Sequence, residues 1–297
     1  MPLRFRAPMI GDRNEALQIL SNRKTPSFSQ AFGTYFLWAE EHKTKICINN
    51  EMLFIKYEYP FPRYELPKGA GSQNDLKNAV ELIIEDSRIC GYENFIFSRL
   101  IQSEVEALNS IFPEKFEVTP SRNDFEYIYN SEDLTDLKGK KYHSKRNHIA
   151  KFSRLYDWKY KAIDFENQNS YLDFFESWFK AKPESNANEL TAIKKSFDFC
   201  DELGMEGGAI IVNDKIVACA LGEKINKETF LVHFEKALPE FSEAYSVINR
   251  EFSKHLCNKG YDLINREEDL GIPGLRKAKL SYFPAILMEK YNATIKS

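Results

Sequence analysis

Cysteine is scarce in this 297-residue chain: Cys47, Cys90, Cys200, Cys219 and Cys257 are odd in number and never closely paired. That spacing excludes a disulfide framework and a C-x-x-C zinc site, and it leaves reduced thiols. Histidine is equally sparse, with five dispersed residues and no H-E-x-x-H, so no metal is expected. Long apolar runs are missing too. No uncharged stretch reaches the roughly 18 residues of a spanning helix, and the opening MPLRFRAPMIGDRNEALQIL lacks the apolar core of a signal peptide. A cytoplasmic protein is therefore expected. Complete glycine-rich loops are also absent: there is no Walker A sequence, no dinucleotide fingerprint and no G-x-S-x-G elbow.

What the chain does have is charge of both signs and many rings. Net charge is −3, with 43% hydrophobic and 29% charged residues, the balance of a soluble globular protein. The signs are unevenly spread. Between Lys138 and Lys161, nine Lys and Arg stand against one acid, Asp157, so this segment is near +8 and the rest near −11. A basic patch on an acidic protein is a candidate polyanion site. From Lys140 onward, Tyr142, Ile149, Phe152 and Tyr156 fall in one helical stripe, while Lys141, Lys145, Arg146, His148 and Lys151 cover much of the rest. This basic amphipathic helix is either a surface helix at a domain junction or an anion-binding face for RNA or anionic headgroups. Its rings either stack on bases or form the buried side.

Periodicity organises the remainder into two similar halves. In the first, helices over Asp12–Leu20 and Ser29–Glu41 precede a hairpin, Thr44–Ile48 and Met52–Tyr57, turning at Asn49-Asn50-Glu51. Ser72 then caps a long helix with a Leu76, Val80, Ile83, Ile84 stripe, followed by a strand over Tyr92–Phe97, a short helix and a strand near Phe116. In the second half, two helices precede a hairpin turning at Asn213-Asp214, a strand over Thr229–Glu235 and a long helix over Pro239–Asn258. The expected class is mixed α/β (α+β mixed sheet) in two tandem domains, 1–126 and 127–297.

Candidate site residues cluster in the last stretch, Lys259–Tyr291. Asn265, Arg266, Glu267, Glu268 and Asp269 crowd the end of a strand, and Pro273-Gly274 opens a helix bearing Arg276, Lys277 and Lys279. Ligands collect where strand ends meet helix starts in α/β sheets. Lys68 with Gly69 and Gly71 at a helix start is a fragment of a phosphate loop, or a structural turn. His233, on an apolar strand, reads as a satisfied core histidine, with Glu235 and Lys236 at that strand's end.

The order hairpin, strand, long helix, strand, helix, strand in each half is that of a GNAT-type (Gcn5-related) acyltransferase domain. KRNHIAKF (Lys145–Phe152) and NREEDLGIPGLRKAKLSYFP (Asn265–Pro284) resemble signature segments of a bacterial family that shares the C-terminal catalytic domain of phosphatidylglycerol lysyltransferase. The Trp38 region and LPKGAGS (Leu66–Ser72) resemble its first half. The matching positions of the closing segment are Asn265, Gly271, Leu275, Arg276, Lys279 and Pro284. The resemblance implies a tandem GNAT-like fold, related to the Fem-type aminoacyl-tRNA-dependent transferases. In the lysyltransferases the donor is lysyl-tRNA and the acceptor a lipid headgroup. Two departures stand out. The chain lacks the membrane-spanning portion of the lipid-modifying enzymes, and Glu235–Glu240 has none of the glycines of an acyl-CoA pyrophosphate loop.

An aminoacyl or acyl transferase is accordingly expected, with aminoacyl-tRNA or acyl-CoA as donor and an amine or hydroxyl, such as an anionic lipid headgroup, as acceptor. The alternatives are an acyl-CoA N-acetyltransferase and a catalytically silent GNAT-like binding module. Acyl transfer needs deprotonation of the acceptor, stabilisation of an oxyanion and protonation of the leaving group. The expected catalytic set is Asn265, Glu268, Arg276, Lys279 and Tyr282. Lys68, Gly69, Gly71, Lys145, Arg146, Lys151 and Lys236 are the candidates for holding the donor or an anion.

Overall fold

A computed structural model describes residues 2–21, 24–92 and 95–296. Local turn chemistry sets its frame. Asn50 and Glu51 take φ of 50° and 57°, and Asn213 and Asp214 take 47° and 61°, the paired left-handed residues of a two-residue hairpin loop. They join β1 (Lys45–Asn49) to β2 (Met52–Tyr57), and β8 (Met205–Val212) to β9 (Lys215–Lys224). The Ser72 hydroxyl accepts from the Asp75 amide and starts the helix Gln73–Ile89 as expected. Part of the strand expected over Tyr92–Phe97 lies outside the described residues; the observed strand is Ile96–Leu100.

The remaining strands are β3 (Arg63–Tyr64), β4 (Ile96–Leu100), β5 (Phe116–Pro120), β6 (Glu126–Asn130), β7 (Trp158–Ala162), β10 (Thr229–Ala237), β11 (Leu263–Asn265), β12 (Ile286–Met288) and β13 (Tyr291–Ile295). They form two mixed sheets, ordered β1-β2-β3-β4-β13-β5 and β12-β6-β11-β10-β9-β8-β7. The halves exchange strands. β6 follows β5 in the chain but pairs between β11 and β12, and β13 follows β12 but pairs between β4 and β5. Both insertions are antiparallel to their neighbours. The expected boundary at 126/127 thus falls at the first residue of an exchanged strand, and residues 291–295 complete the first sheet rather than the second.

Packing joins the halves as firmly as the strands do. One core cluster unites Tyr35, Phe36, Ile55 and Tyr57 from the first half with Phe175, Trp178, Phe197 and Phe234 from the second. Trp178 also donates its indole N–H to the Ala237 carbonyl at 2.9 Å, satisfying the one polar group of a buried ring. Among the described residues no helix is long and apolar enough to cross a membrane.

The feature that positions a site is a splay. β10 and β11 run parallel and pair only over Thr229–Leu231 with Leu263–Asn265. β10 continues to Ala237, whereas the chain after Asn265 leaves the sheet, so the two strand ends diverge. The long helix Ala244–Asn258 packs along this opening and the basic helix His143–Leu155 packs against the long helix.

Candidate functional site

The loop after β11 is held by three internal ties. The Asn265 carboxamide oxygen accepts from the Glu267 amide at 2.7 Å, an Asx-type turn that helps Glu267 sit at φ 56°. Lys279, buried, donates its ammonium to the carbonyls of Arg266 and Glu268. Asp269, fully buried, receives Arg276 through two bonds of 2.8 Å, Arg122 at 3.0 Å and the Gly271 amide at 2.9 Å. Burial alone would raise the Asp269 carboxyl, but the Arg276 and Tyr127 hydrogen bonds hold it well below the usual carboxylate range.

These ties aim Arg266 into the splay. Its Nη2 donates to Glu235 Oε1 at 2.7 Å, and Glu235 Oε2 accepts from the Asn249 amide on the long helix at 3.1 Å. The guanidinium lies 5.0 Å from the Tyr282 ring centroid and 5.6 Å from that of Tyr129. Lys145 reaches the same ring from the basic helix, its ammonium 3.9 Å from the Tyr282 centroid. Burial, aided by the Arg266 charge, lowers Lys145 to about 8. Burial pushes the Tyr282 hydroxyl up to about 12, with a hydrogen bond from Ser246 opposing. Ser246 Oγ in turn lies 3.4 Å from His148 Nδ1, at the surface. Two buried polar atoms of this cluster have no partner among the described residues: Arg266 Nη1, a donor, and Asn249 Oδ1, an acceptor. An arginine side chain only 12% exposed seldom leaves a donor unused.

Of the expected residues, the structure brings together only Tyr282 and Lys145, with Lys279 behind them holding the Arg266 carbonyl. Asn265 is buried and donates to the Pro26 carbonyl at 2.8 Å and to Glu126. Glu268 lies on the far side of the loop, 3.8 Å from Arg99, and burial raises it to about 7. Arg276 is engaged by Asp269 and by Asn123 at 2.9 Å. Lys68 is buried between Glu104 at 2.9 Å and Glu65 at 3.3 Å, and Gly69 adopts φ 91° with Glu51 O and Ile19 where a Cβ would go. Gly71 precedes a helix start already occupied by the Asp75 carboxylate, which takes the Ser72 hydroxyl at 2.7 Å. Arg146 donates to the carbonyls of Leu137 and Gly139, Lys151 pairs with Glu243, and Lys236 points away from the splay to Glu189 at 2.8 Å.

His233 is a satisfied core histidine, as its strand suggested. Nε2 meets Glu223 at 3.0 Å and Nδ1 meets Glu267 at 2.8 Å. Burial would lower its pKa, but these two hydrogen bonds push it up to about 9. Sequence reasoning names Arg266 only among the charges crowding the strand end, and the site residues it missed are Asn249, Ser246 and Tyr129. Ser246 and Asn249 stand three apart on the long helix among apolar neighbours, a polar notch on a buried face that the sequence does display.

Residues 22–294 match the family model described as phosphatidylglycerol lysyltransferase, C-terminal. A crystal structure of a conserved protein of unknown function from Bacteroides thetaiotaomicron is 35% identical, with a TM-score of 0.90, over 99% of this chain and 100% of that one. The L-PGS structure from Bacillus licheniformis superposes with a TM-score of 0.66 at 14% identity, covering 96% of this chain and 92% of that one. A tandem GNAT protein from the clavulanic acid biosynthesis pathway gives 0.55 at 8% identity, with 98% of each chain covered. The last two share the fold, which is a tandem GNAT-like arrangement of two mixed sheets. An uncharacterized protein of Mycoplasmoides gallisepticum is 23% identical over 172 residues, 56% of this chain, and the match spans about half (54%) of that relative's length.

Proposed function

This chain belongs to the family of phosphatidylglycerol lysyltransferase C-terminal domains, and on that premise we propose that it transfers an aminoacyl group from aminoacyl-tRNA to an amine or hydroxyl. The observation that carries the reading is the unpaired donor and acceptor in the splay, Arg266 Nη1 and Asn249 Oδ1, either side of Glu235. An aminoacyl ester offers the complement: a carbonyl oxygen for the guanidinium, and an ammonium for the Asn249 oxygen and the Glu235 carboxylate. The acceptor attacks the ester carbon, and Arg266 stabilises the oxyanion in a site where exclusion of water strengthens its attraction to the developing negative charge. The ester C–O bond then breaks and the ribose oxygen takes a proton from Lys145. With a pKa lowered to about 8, Lys145 can release that proton and regain the one the acceptor sheds.

The surroundings support the donor class. The connection to the long helix carries Glu240 and Glu243, paired with Lys215 and Lys151, so carboxylates stand where a pyrophosphate would have to sit. A CoA donor is disfavoured there. On the other flank of the basic helix, Arg146, Arg250 and Lys254 line a cavity of about 410 Å³ together with Asp136 and Glu251, a mixed wall with one positive charge in excess. The support for an RNA backbone is the wider basic segment, Lys138–Lys161.

The test is transfer of a radiolabelled amino acid from charged tRNA to an extract fraction of small amines, lipids and polyols. Replacing Arg266 by Ala should lower transfer by about 10²-fold or more, with tRNA affinity retained. Because Ala leaves the buried Glu235 without its cation, melting curves check the fold, and Arg266→Lys, which keeps a cation there, is the second variant. Wild-type transfer rates in the Ala variant, with the fold intact, would overturn the assignment. Thermal protection by acetyl-CoA but not by charged tRNA would replace it with the acyl-CoA reading.

A further inference from the structure

The closing segment exposes more apolar surface than its position explains. Of the twelve large hydrophobic side chains exposed among the described residues, Leu270, Ile272, Leu280, Phe283, Ile286 and Leu287 lie within residues 270–287. Leu270 is 63% exposed, Ile272 51% and Phe283 43%. Ile286 and Leu287 are consecutive in β12, so they face opposite sides of the outer edge strand, and each is more than a third exposed. Single exposed hydrophobics need no explanation, but a cluster of this size marks an interaction surface.

The charge around it says what covers it. No acid occurs between Asp269 and Glu289, or between Asp136 and Asp157 in the basic segment. These two acid-free segments meet. Lys141, in the turn just before the basic helix, and Lys145 within it, with Lys277, Ala278 and Phe283 from the closing segment, line a cavity of about 380 Å³. The Lys141 ammonium lies 5.5 Å from the Phe283 ring centroid. Outside residues 138–161 the chain carries about −11, and about −14 once the closing segment's Arg276, Lys277 and Lys279 are also set aside. An anionic sheet of charge is therefore attracted to this face more than to the net-negative remainder of the chain. A second copy of the chain would bring like-charged lysines together at a two-fold contact, which disfavours self-association. A mixed apolar and basic face with aromatic and leucine side chains and no acids is the composition of interfacial membrane binding.

We propose that this face, Leu270–Leu287 with Lys141 and Lys277, docks the protein on an anionic membrane surface, with Ile272, Leu280 and Phe283 entering the headgroup boundary. The proposal is independent of the acceptor in the transfer reaction, because it concerns any anionic bilayer rather than one headgroup.

Vesicle co-sedimentation of the full chain tests it, with phosphatidylcholine alone or with about a third of the lipid replaced by phosphatidylserine or by phosphatidylglycerol. Binding should be similar for the two anionic lipids, absent for phosphatidylcholine and weakened by salt. Ile272→Ser with Phe283→Ser, and separately Lys141→Glu with Lys277→Glu, should each weaken it by about tenfold or more. Met9→Ser with Ile89→Ser, exposed elsewhere, should leave it unchanged. Melting curves check each fold, and the lysine pair keeps the test decisive if the apolar pair fails to fold. The proposal is overturned by absence of binding to either anionic vesicle, or by binding confined to phosphatidylglycerol, which would be headgroup recognition. It is equally overturned by wild-type binding in the lysine pair, or by patch variants that convert a dimer to a monomer without lipid.

Discussion

Removing the Glu126 carboxylate should be among the costliest single changes in this protein. Glu126 opens β6 and Lys290 immediately precedes β13, so their ion pair stands where the two exchanged strands cross. Both side chains are fully buried. Glu126 also accepts from the Ser27 hydroxyl at 2.6 Å, the Phe28 amide at 2.8 Å and the Asn265 carboxamide, while Lys290 donates to Ser27 Oγ at 2.8 Å. Breaking a buried pair from one side costs about 3–5 kcal/mol, because the surviving charge is left without a partner. Here three buried donors, the Ser27 hydroxyl, the Phe28 amide and one N–H of Asn265, lose their acceptor as well, at about 1–3 kcal/mol each in isolation. The terms share one network and do not add. Glu126→Ala should therefore cost about 4–6 kcal/mol, a large part of a typical total stability of about 5–15 kcal/mol. Replacing both partners by Met removes the orphaned charge and should recover most of that loss, to within about 2 kcal/mol of wild type. Urea unfolding followed by tryptophan fluorescence measures all three proteins, with comparable slopes as the check on two-state behaviour. A single-mutant cost under about 1 kcal/mol, or a double mutant as unstable as Glu126→Ala, would refute the reasoning.

Other outcomes follow from the same structure. Because His233 is raised from 6.5 to about 9, its cation stabilises the fold fully below pH 6.5, and that contribution is lost as pH rises through about 9. The stability gap between wild type and His233→Gln, on the order of 3 kcal/mol near neutrality, should shrink over that window in a pH series of urea melts. Gly33→Ala should destabilise by about 1–3 kcal/mol, since its Cβ would fall 1.9 Å from Glu223 Oε1 and displace the carboxylate from His233; wild-type stability would count against this. Lys145, held near 8, supplies its proton as the ammonium, so transfer should fall as pH rises through about 8; a profile flat to pH 10 would remove Lys145 from the proton path. Tyr282→Phe keeps the ring beneath both cations and should cost less than tenfold in transfer, whereas Tyr282→Ala should cost far more; equal losses would mean that the hydroxyl matters and the ring does not.

Local chemistry was legible in the sequence where one or two residues decide the backbone. Asn50-Glu51 and Asn213-Asp214 marked both hairpins, Ser72 marked a helix start, and Met52–Tyr57 was read with its observed bounds. Strands whose partners are distant were not legible. β3 is only two residues long, β6 reads like the end of one half, and β13 has no local feature that assigns it to the first sheet. Charges were harder still. Arg276 and Lys279 are three apart on a helix and read as a ligand-facing pair, yet one is fixed by Asp269 and the other by two backbone carbonyls. Composition gives the number of such charges but not which are consumed internally. Arg266, named only as one of a crowd, becomes distinctive once the divergence of β10 from β11 places it beside Glu235.

The crossing of β6 and β13 has a consequence for biosynthesis. The first sheet has a slot between β4 and β5 that only residues 291–295 can fill. On the ribosome, the N-terminal half must wait, with two unpaired strand edges, until residues 291–295 have been made. Such edges invite pairing with other nascent chains. Cutting the chain just after β6 would yield two fragments, each missing an inner strand and each carrying the strand that the other needs. The fragments should be insoluble apart and should recover when produced together.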